Sequence, residues 1–128
     1  MKRYLLLWIT PFFFLHWTLS ANAETAGEVS GWCREYDNVD AAGGARFTQP
    51  DSRTNHYCWG AFAAVQDLIV AESRDGTRLL GACVVQQTTR LEMIHIFRRY
   101  MVQHPEREQL GFGQGVVLAL TEAYPCEN

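Results

Sequence analysis

Four cysteines, Cys33, Cys58, Cys83 and Cys126, set the tightest limit on what this chain of 128 residues can fold into. Structural zinc sites draw their ligands from close pairs such as C-x-x-C, whereas here neighbouring cysteines stand 25 or more positions apart. An even number of widely spaced cysteines in an exported chain reads as a framework of two disulfides. The N-terminus carries the layout of an export signal. Lys2 and Arg3 precede an apolar stretch through Leu5-Leu6-Leu7-Trp8-Ile9 and Phe12-Phe13-Phe14-Leu15, and Ala21-Asn22-Ala23 offers small residues for cleavage. A membrane-spanning helix needs about 20 consecutive apolar residues, and Thr10, Pro11 and His16 interrupt this run. Residues 1–23 are therefore expected to be a secretory signal cleaved after Ala23, and 24–128 a single exported domain.

Charge then narrows the partners. With Lys2 and Arg3 removed the domain contains no lysine, and its nine arginines face fourteen carboxylates, a net charge of −5. Only Arg98 and Arg99 are adjacent. Nucleic-acid binding needs a clustered cationic face, and anionic lipid attracts basic surfaces, so neither is an expected partner. A domain this small has a modest core, which two cross-links would reinforce.

The hydrophobic pattern is helical throughout. Val29, Trp32, Cys33 and Tyr36 share one face of a short amphipathic helix within Glu24–Asp37. Asn38–Asn55, with Gly43-Gly44 and Pro50, has loop composition. Cys58, Phe62, Val65 and Ile69, with Ala61 and Leu68 in the same stripe, predict a helix over Tyr57–Glu72 capped by Thr54 or Asn55. Ser73-Arg74-Asp75-Gly76-Thr77 is a turn, and Leu79–Val85 an extended connector crossing the core. Thr89 and Glu92 have the spacing of a capping box at the head of a helix that Pro105 ends at His104. Its apolar face is Leu91, Ile94, Phe97 and Met101. A last helix follows from the recurrence of Leu110, Gly113, Val117, Leu120 and Tyr124. The three glycines at 111, 113 and 115 imply either unusually close packing there or a later start near Gln114. The expected class is all-α, a compact bundle of about four helices stapled by two disulfides.

The short link at His104-Pro105 makes the last two helices antiparallel neighbours. The start of one and the end of the other then share an end of the pair, which brings Cys83 to Cys126 and leaves Cys33 for Cys58.

No catalytic constellation stands out. The chain lacks G-x-S-x-G, H-E-x-x-H, a P-loop and a calcium-loop spacing. Gly111-Phe112-Gly113 has Val116 where a dinucleotide fingerprint needs glycine. Glu92 and His95 form a single Glu-x-x-His, where di-iron bundles use two; they read as a helix cap and a surface histidine. The domain is expected to be no enzyme, to hold no metal or cofactor, and to act by binding. The charged turn Glu72-Ser73-Arg74-Asp75-Gly76-Thr77-Arg78, between a long helix and a disulfide-anchored segment, is the candidate contact loop. Trp32, Trp59, Phe62 and Phe112 read mostly as core aromatics, with any apolar surplus among them favouring a dimer interface.

Cys58-Trp59-Gly60-Ala61-Phe62-Ala63-Ala64-Val65-Gln66-Asp67, the isolated Cys83, His104-Pro105-Glu106 and Ala123-Tyr124-Pro125-Cys126 occur here in an order that resembles the Rap/Tai immunity proteins of type VI secretion systems. The resemblance covers about residues 30–126. It departs from the family at Val85, where a proline is usual two residues after the third cysteine, and at Ala61-Phe62-Ala63-Ala64, where the family carries a Tyr-Ile-x-Gly core. It implies a periplasmic, all-helical, often homodimeric protein that blocks a peptidoglycan amidase toxin by inserting a projecting loop into its active-site cleft. Carried onto this chain, residues 73–78 would be the plug and Cys83 and Cys126 would hold its base. The competing reading is a periplasmic disulfide-bonded stress protein or chaperone without a toxin partner, which would dissociate and bind clients as its carboxylates titrate at low pH.

Overall fold

The computed structural model describes residues 23–39 and 51–126. The expected signal segment up to residue 22 and most of the expected 38–55 loop lie outside them.

The described domain is built from four α-helices: α1 (Ala26–Trp32), α2 (Arg53–Ile69), α3 (Arg90–Gln103) and α4 (Phe112–Ala123). Short 3-10 turns at Arg34–Asn38 and Pro105–Arg107 link them, and pairing outside helices among the described residues is limited to the isolated bridges Thr25↔Gly111 and Glu72↔Arg78. The all-α expectation holds. Both disulfides are formed as expected, Cys33–Cys58 and Cys83–Cys126.

The central helix is α3, which packs against α1, α2, α4 and the first 3-10 turn. Neighbours on so many sides explain why Met93, Ile96 and Tyr100 are buried alongside the expected Leu91, Ile94, Phe97 and Met101. Phe97 meets Phe62 of α2 and Phe112 of α4 at ring-centroid distances of 5.5 and 5.6 Å, the second edge to face. Phe62 is fully buried, while Trp32, Trp59 and Phe112 pack against the core, so these aromatics are core material as expected of most of them.

Caps place the helix starts. Ser52 accepts from the Asn55 N–H, so α2 begins at Arg53, several residues before the expected start, and Thr54 and Asn55 lie inside it. Thr89 caps α3 through the Glu92 N–H, but the Glu92 carboxylate does not reach back. It accepts instead from the Tyr124 hydroxyl at 3.1 Å, tying the head of α3 to the end of α4. The reciprocal capping box is at α1, where Thr25 Oγ1 accepts from the Glu28 N–H and Glu28 accepts from the Thr25 N–H at 2.9 Å.

The expected apolar stripe of α4 is displaced by a fraction of a turn. Gly115, Val116, Ala119 and Leu120 are the buried positions, and Leu110, Gly113 and Val117 line an outer groove. Both glycine expectations are partly met. The helix starts late, at Phe112, and Gly115 marks a close approach. A Cβ on Gly115 would sit 2.7 Å from the Cβ of Ala26, whereas one on Gly113 would meet nothing within 4 Å. Gly115→Ala is therefore expected to cost a net of about 1–2 kcal/mol, overpacking outweighing helix propensity, while Gly113→Ala gains a few tenths. Urea unfolding of the two variants checks the opposite signs.

Candidate functional site

The turn at the end of α2 is a small hairpin that projects from the bundle. Leu79 N–H donates to Ala71 at 3.0 Å and Ser73 N–H to Thr77 at 2.9 Å, with the Glu72↔Arg78 bridge between. Gly76 N–H donates to the Ser73 carbonyl at 3.0 Å, closing a β-turn over Arg74-Asp75. Gly76 then takes a φ of +82°, the left-handed residue a three-residue hairpin loop requires. Residues 72–77 are exposed, and Arg78 is half-buried.

Asp75 supplies the internal order. One of its oxygens accepts from the Ser73 hydroxyl, the Thr77 hydroxyl (2.6 Å) and the Thr77 N–H (3.0 Å). These donors, Ser73 first and then Thr77, pull the carboxyl from 3.8 to about 2. A depressed pKa means that the bonds support the turn in full above about pH 4 and fade as the pH drops through about 2. A carbon-13 titration of the Asp75 carboxyl is expected to show a midpoint near 2; a midpoint near 4 would mean the carboxylate is not held.

At the base of the hairpin, Arg78 faces the Glu72 carboxylate at 3.4 Å and the Val70 carbonyl at 3.5 Å. Arg74, at the tip, makes no hydrogen bond or ion pair among the described residues. The turn thus presents one uncommitted cation on a rigid, internally satisfied frame. Beyond it the chain reaches Cys83, whose N–H donates to Tyr124 at 3.0 Å and whose sulfur is bonded to Cys126. The disulfide and that hydrogen bond fix the segment leaving the turn to the end of α4.

The connector after the turn does not cross the core. Leu79 and Val85 are more than half exposed, and Ala82 is its only fully buried apolar residue. Leu68, expected on the buried face of α2, is also exposed, as is Val70. Four of the seven large exposed apolar side chains among the described residues, Leu68, Val70, Leu79 and Val85, therefore flank the projecting turn in sequence. Exposed apolar side chains gathered in one stretch are the kind of feature from which contact surfaces are built. No motif announced it; the only sequence signal was that Val70 and Val85 fall outside any helical stripe.

The remaining candidates have structural partners. His95 is no free surface histidine, because its Nε2 meets the Tyr36 carbonyl at 2.7 Å. Arg98 grips Asp37 through two nitrogens, at 3.0 and 2.6 Å, and the Ser30 carbonyl and hydroxyl through the third. Together they hold α1 and the first 3-10 turn on α3. Among the described residues no three His, Cys, Asp or Glu side chains are grouped to hold a metal ion.

The family model for Rap1a immunity proteins matches residues 25–126, the whole helical domain and both disulfides. The chain belongs to the Rap1a immunity protein family. No curated protein and no solved structure matches it. Family membership implies a partner, a secreted effector that the Rap1a protein binds. In this Rap1a domain the hairpin of residues 72–78 is exposed from Glu72 to Thr77 and lies next in the chain to the exposed Val70 and Leu79.

Proposed function

We propose that this Rap1a protein is exported to the periplasm by residues 1–23 and there binds and sterically blocks a type VI secreted peptidoglycan amidase, with residues 72–78 entering the enzyme's cleft. The observation that carries this reading is the projecting hairpin itself. Its tip is narrow and exposed, its backbone and Asp75 satisfy one another, and its outgoing arm is tied down by Cys83–Cys126. A loop already ordered before contact loses little conformational entropy on binding, which favours tight inhibition without turnover.

The test is inhibition of a purified amidase effector encoded beside this chain, with protection of cells that receive it. Arg74→Glu changes the uncommitted charge at the tip without touching the turn's own bonds, and is expected to weaken inhibition by at least about tenfold. The triple reversal at Arg74, Asp75 and Arg78 is expected to abolish it. Full inhibition by the triple variant would overturn the plug assignment.

The homodimer belongs to the same proposal. The outer face of α4 carries Gly113, Val117 and Leu118, with Leu110 beside them, and no charge from Phe112 to Thr121, so two acidic copies would meet there without opposing like charges. A monomeric mass by light scattering at micromolar concentration would remove it.

A further inference from the structure

The two disulfides sit in opposite surroundings. Cys33 and Cys58 are fully buried, whereas Cys83 and Cys126 are exposed, as are Gly81, Val85, Ala123 and Pro125 around them in the chain. Neither arm of the exposed bridge belongs to a helix. Residues 82–85 are irregular, and Cys126 lies three residues beyond the end of α4. Residues 79–89 and 123–126 carry no charge, so the acidity of the domain does not repel a protein approaching these sulfurs along the chain on either side.

What the exposed bridge holds is local. Apart from bonds to adjacent turns, two backbone hydrogen bonds among the described residues fasten residues 79–87, from Leu79 N–H to the Ala71 carbonyl and from Cys83 N–H to the Tyr124 carbonyl, both at 3.0 Å. Ala82 is the one fully buried side chain of that segment. The Cys83 hydrogen bond and the disulfide both end on residues 124–126, so opening the bridge releases a single anchoring point. The Phe62, Phe97 and Phe112 contacts at the centre of the bundle involve none of these residues.

We propose that Cys83–Cys126 is a site of thiol–disulfide exchange on the folded domain, opened by a protein dithiol of the C-x-x-C class and closed again by the corresponding disulfide, and that this exchange sets how firmly the outgoing arm of the hairpin is held. The attacking thiolate forms a bond to Cys126 Sγ as the Cys83–Cys126 bond breaks and its electron pair leaves on Cys83, which takes up a proton. The Gly81 carbonyl oxygen, 3.7 Å from Cys126 Sγ, opposes negative charge on that sulfur and makes Cys83 the better leaving group. The second thiolate of the reductant then attacks the reductant's own sulfur in the mixed disulfide, and Cys126 leaves and is protonated. Two electrons and two protons have passed to the domain, and the reductant ends as a disulfide. Cys33–Cys58 does not follow this course while the bundle is folded, because no thiolate reaches its buried sulfurs. The segment leaving the hairpin thus answers to redox conditions while the core does not. In oxidising surroundings it is clasped to the end of α4, and in reducing ones it is slack at full helical content. This holds whatever partner the hairpin meets.

The experiment has two arms. Thioredoxin whose second active-site cysteine is replaced by serine retains a mixed disulfide once formed. Incubated with the oxidised domain under native conditions, it is expected to give a one-to-one adduct linked through Cys126, with Cys33 and Cys58 unlinked in the peptide map. The second arm compares amide hydrogen exchange in the oxidised protein with that in two open forms, Cys83→Ser/Cys126→Ser and the wild type selectively reduced and alkylated at the same two positions. Exchange at the Leu79 and Cys83 N–H groups is expected to rise at least about tenfold in both open forms, and exchange in α3 to change by less than about twofold. No adduct, under conditions where dithiothreitol opens the bridge, would overturn the assignment of a protein dithiol as reactant, and an adduct through Cys33 or Cys58 would overturn the choice of site. Equal exchange at residues 79–83 in open and oxidised forms would show that the bridge does not hold the segment. A rise of equal size in α3 would make the bridge a staple of the whole fold and would overturn the local clasp.

Discussion

Cys33→Ala/Cys58→Ala is expected to lose about 3–5 kcal/mol of stability, enough to leave a domain of this size marginal or unfolded at 37 °C. The bridge closes a loop of 25 residues, which by chain entropy alone is about 3.5 kcal/mol. Both sulfurs are fully buried between α1 and α2, so their removal also opens space in the core. The second bridge behaves differently because Cys83 and Cys126 are exposed. Mild reduction followed by alkylation and mass measurement is expected to label Cys83 and Cys126 first, with Cys33 and Cys58 protected until the domain opens. The singly reduced form should keep its helical signal and lose order around residues 72–85. Simultaneous labelling of all four cysteines would show that the two bridges do not open separately.

Phe97→Ala is the second large effect, expected to cost about 3–5 kcal/mol and to lower the melting temperature by at least about 12 °C. Phe97 is fully buried at the point where α2, α3 and α4 meet, between Phe62 and Phe112. Three helices would have to collapse together to close the void, and α1 already touches α4 through Gly115 and Ala26, which restricts that movement. Phe97→Leu should recover more than half of the loss. A thermal shift of only a few degrees in Phe97→Ala would mean that the bundle repacks freely.

The long helices were legible because their buried faces follow a strict period. Cys58, Phe62, Val65 and Ile69 are buried as read, and so are Leu91, Ile94, Phe97 and Met101. The cysteine pairing was equally legible, since a short antiparallel link leaves one consistent arrangement. α4 was harder. Val116, Val117, Leu118, Ala119 and Leu120 are all apolar, so periodicity alone could not choose the inner face, and Gly115 against Ala26 decided it. Residue types also fail to report tertiary hydrogen bonds. Thr89 and Glu92 have the capping-box spacing, yet Tyr124 takes the carboxylate, while Thr25 and Glu28 form the complete box. The turn was visible in Ser73–Thr77 because Asp-Gly and its neighbours have few other uses. The nearness of Gln66–Val70 to Val84–Thr88, which line one cleft, was not, because only the fold joins those segments.

The pairing of Thr25 with Gly111 bears on when the domain can form. Ala26 N–H donates to Leu110 at 2.7 Å, Gly27 N–H to Glu108 at 3.0 Å, and Phe112 N–H to Glu24 at 3.0 Å, so the first described residues are zipped to the segment that opens α4. A nascent chain released only as far as α3 offers α1 no surface from α4, and Cys83 no partner. Folding therefore waits for nearly the whole polypeptide, and these long-range contacts set its pace. Late completion of the fold suits the export proposed above, because a translocation channel threads an unfolded chain.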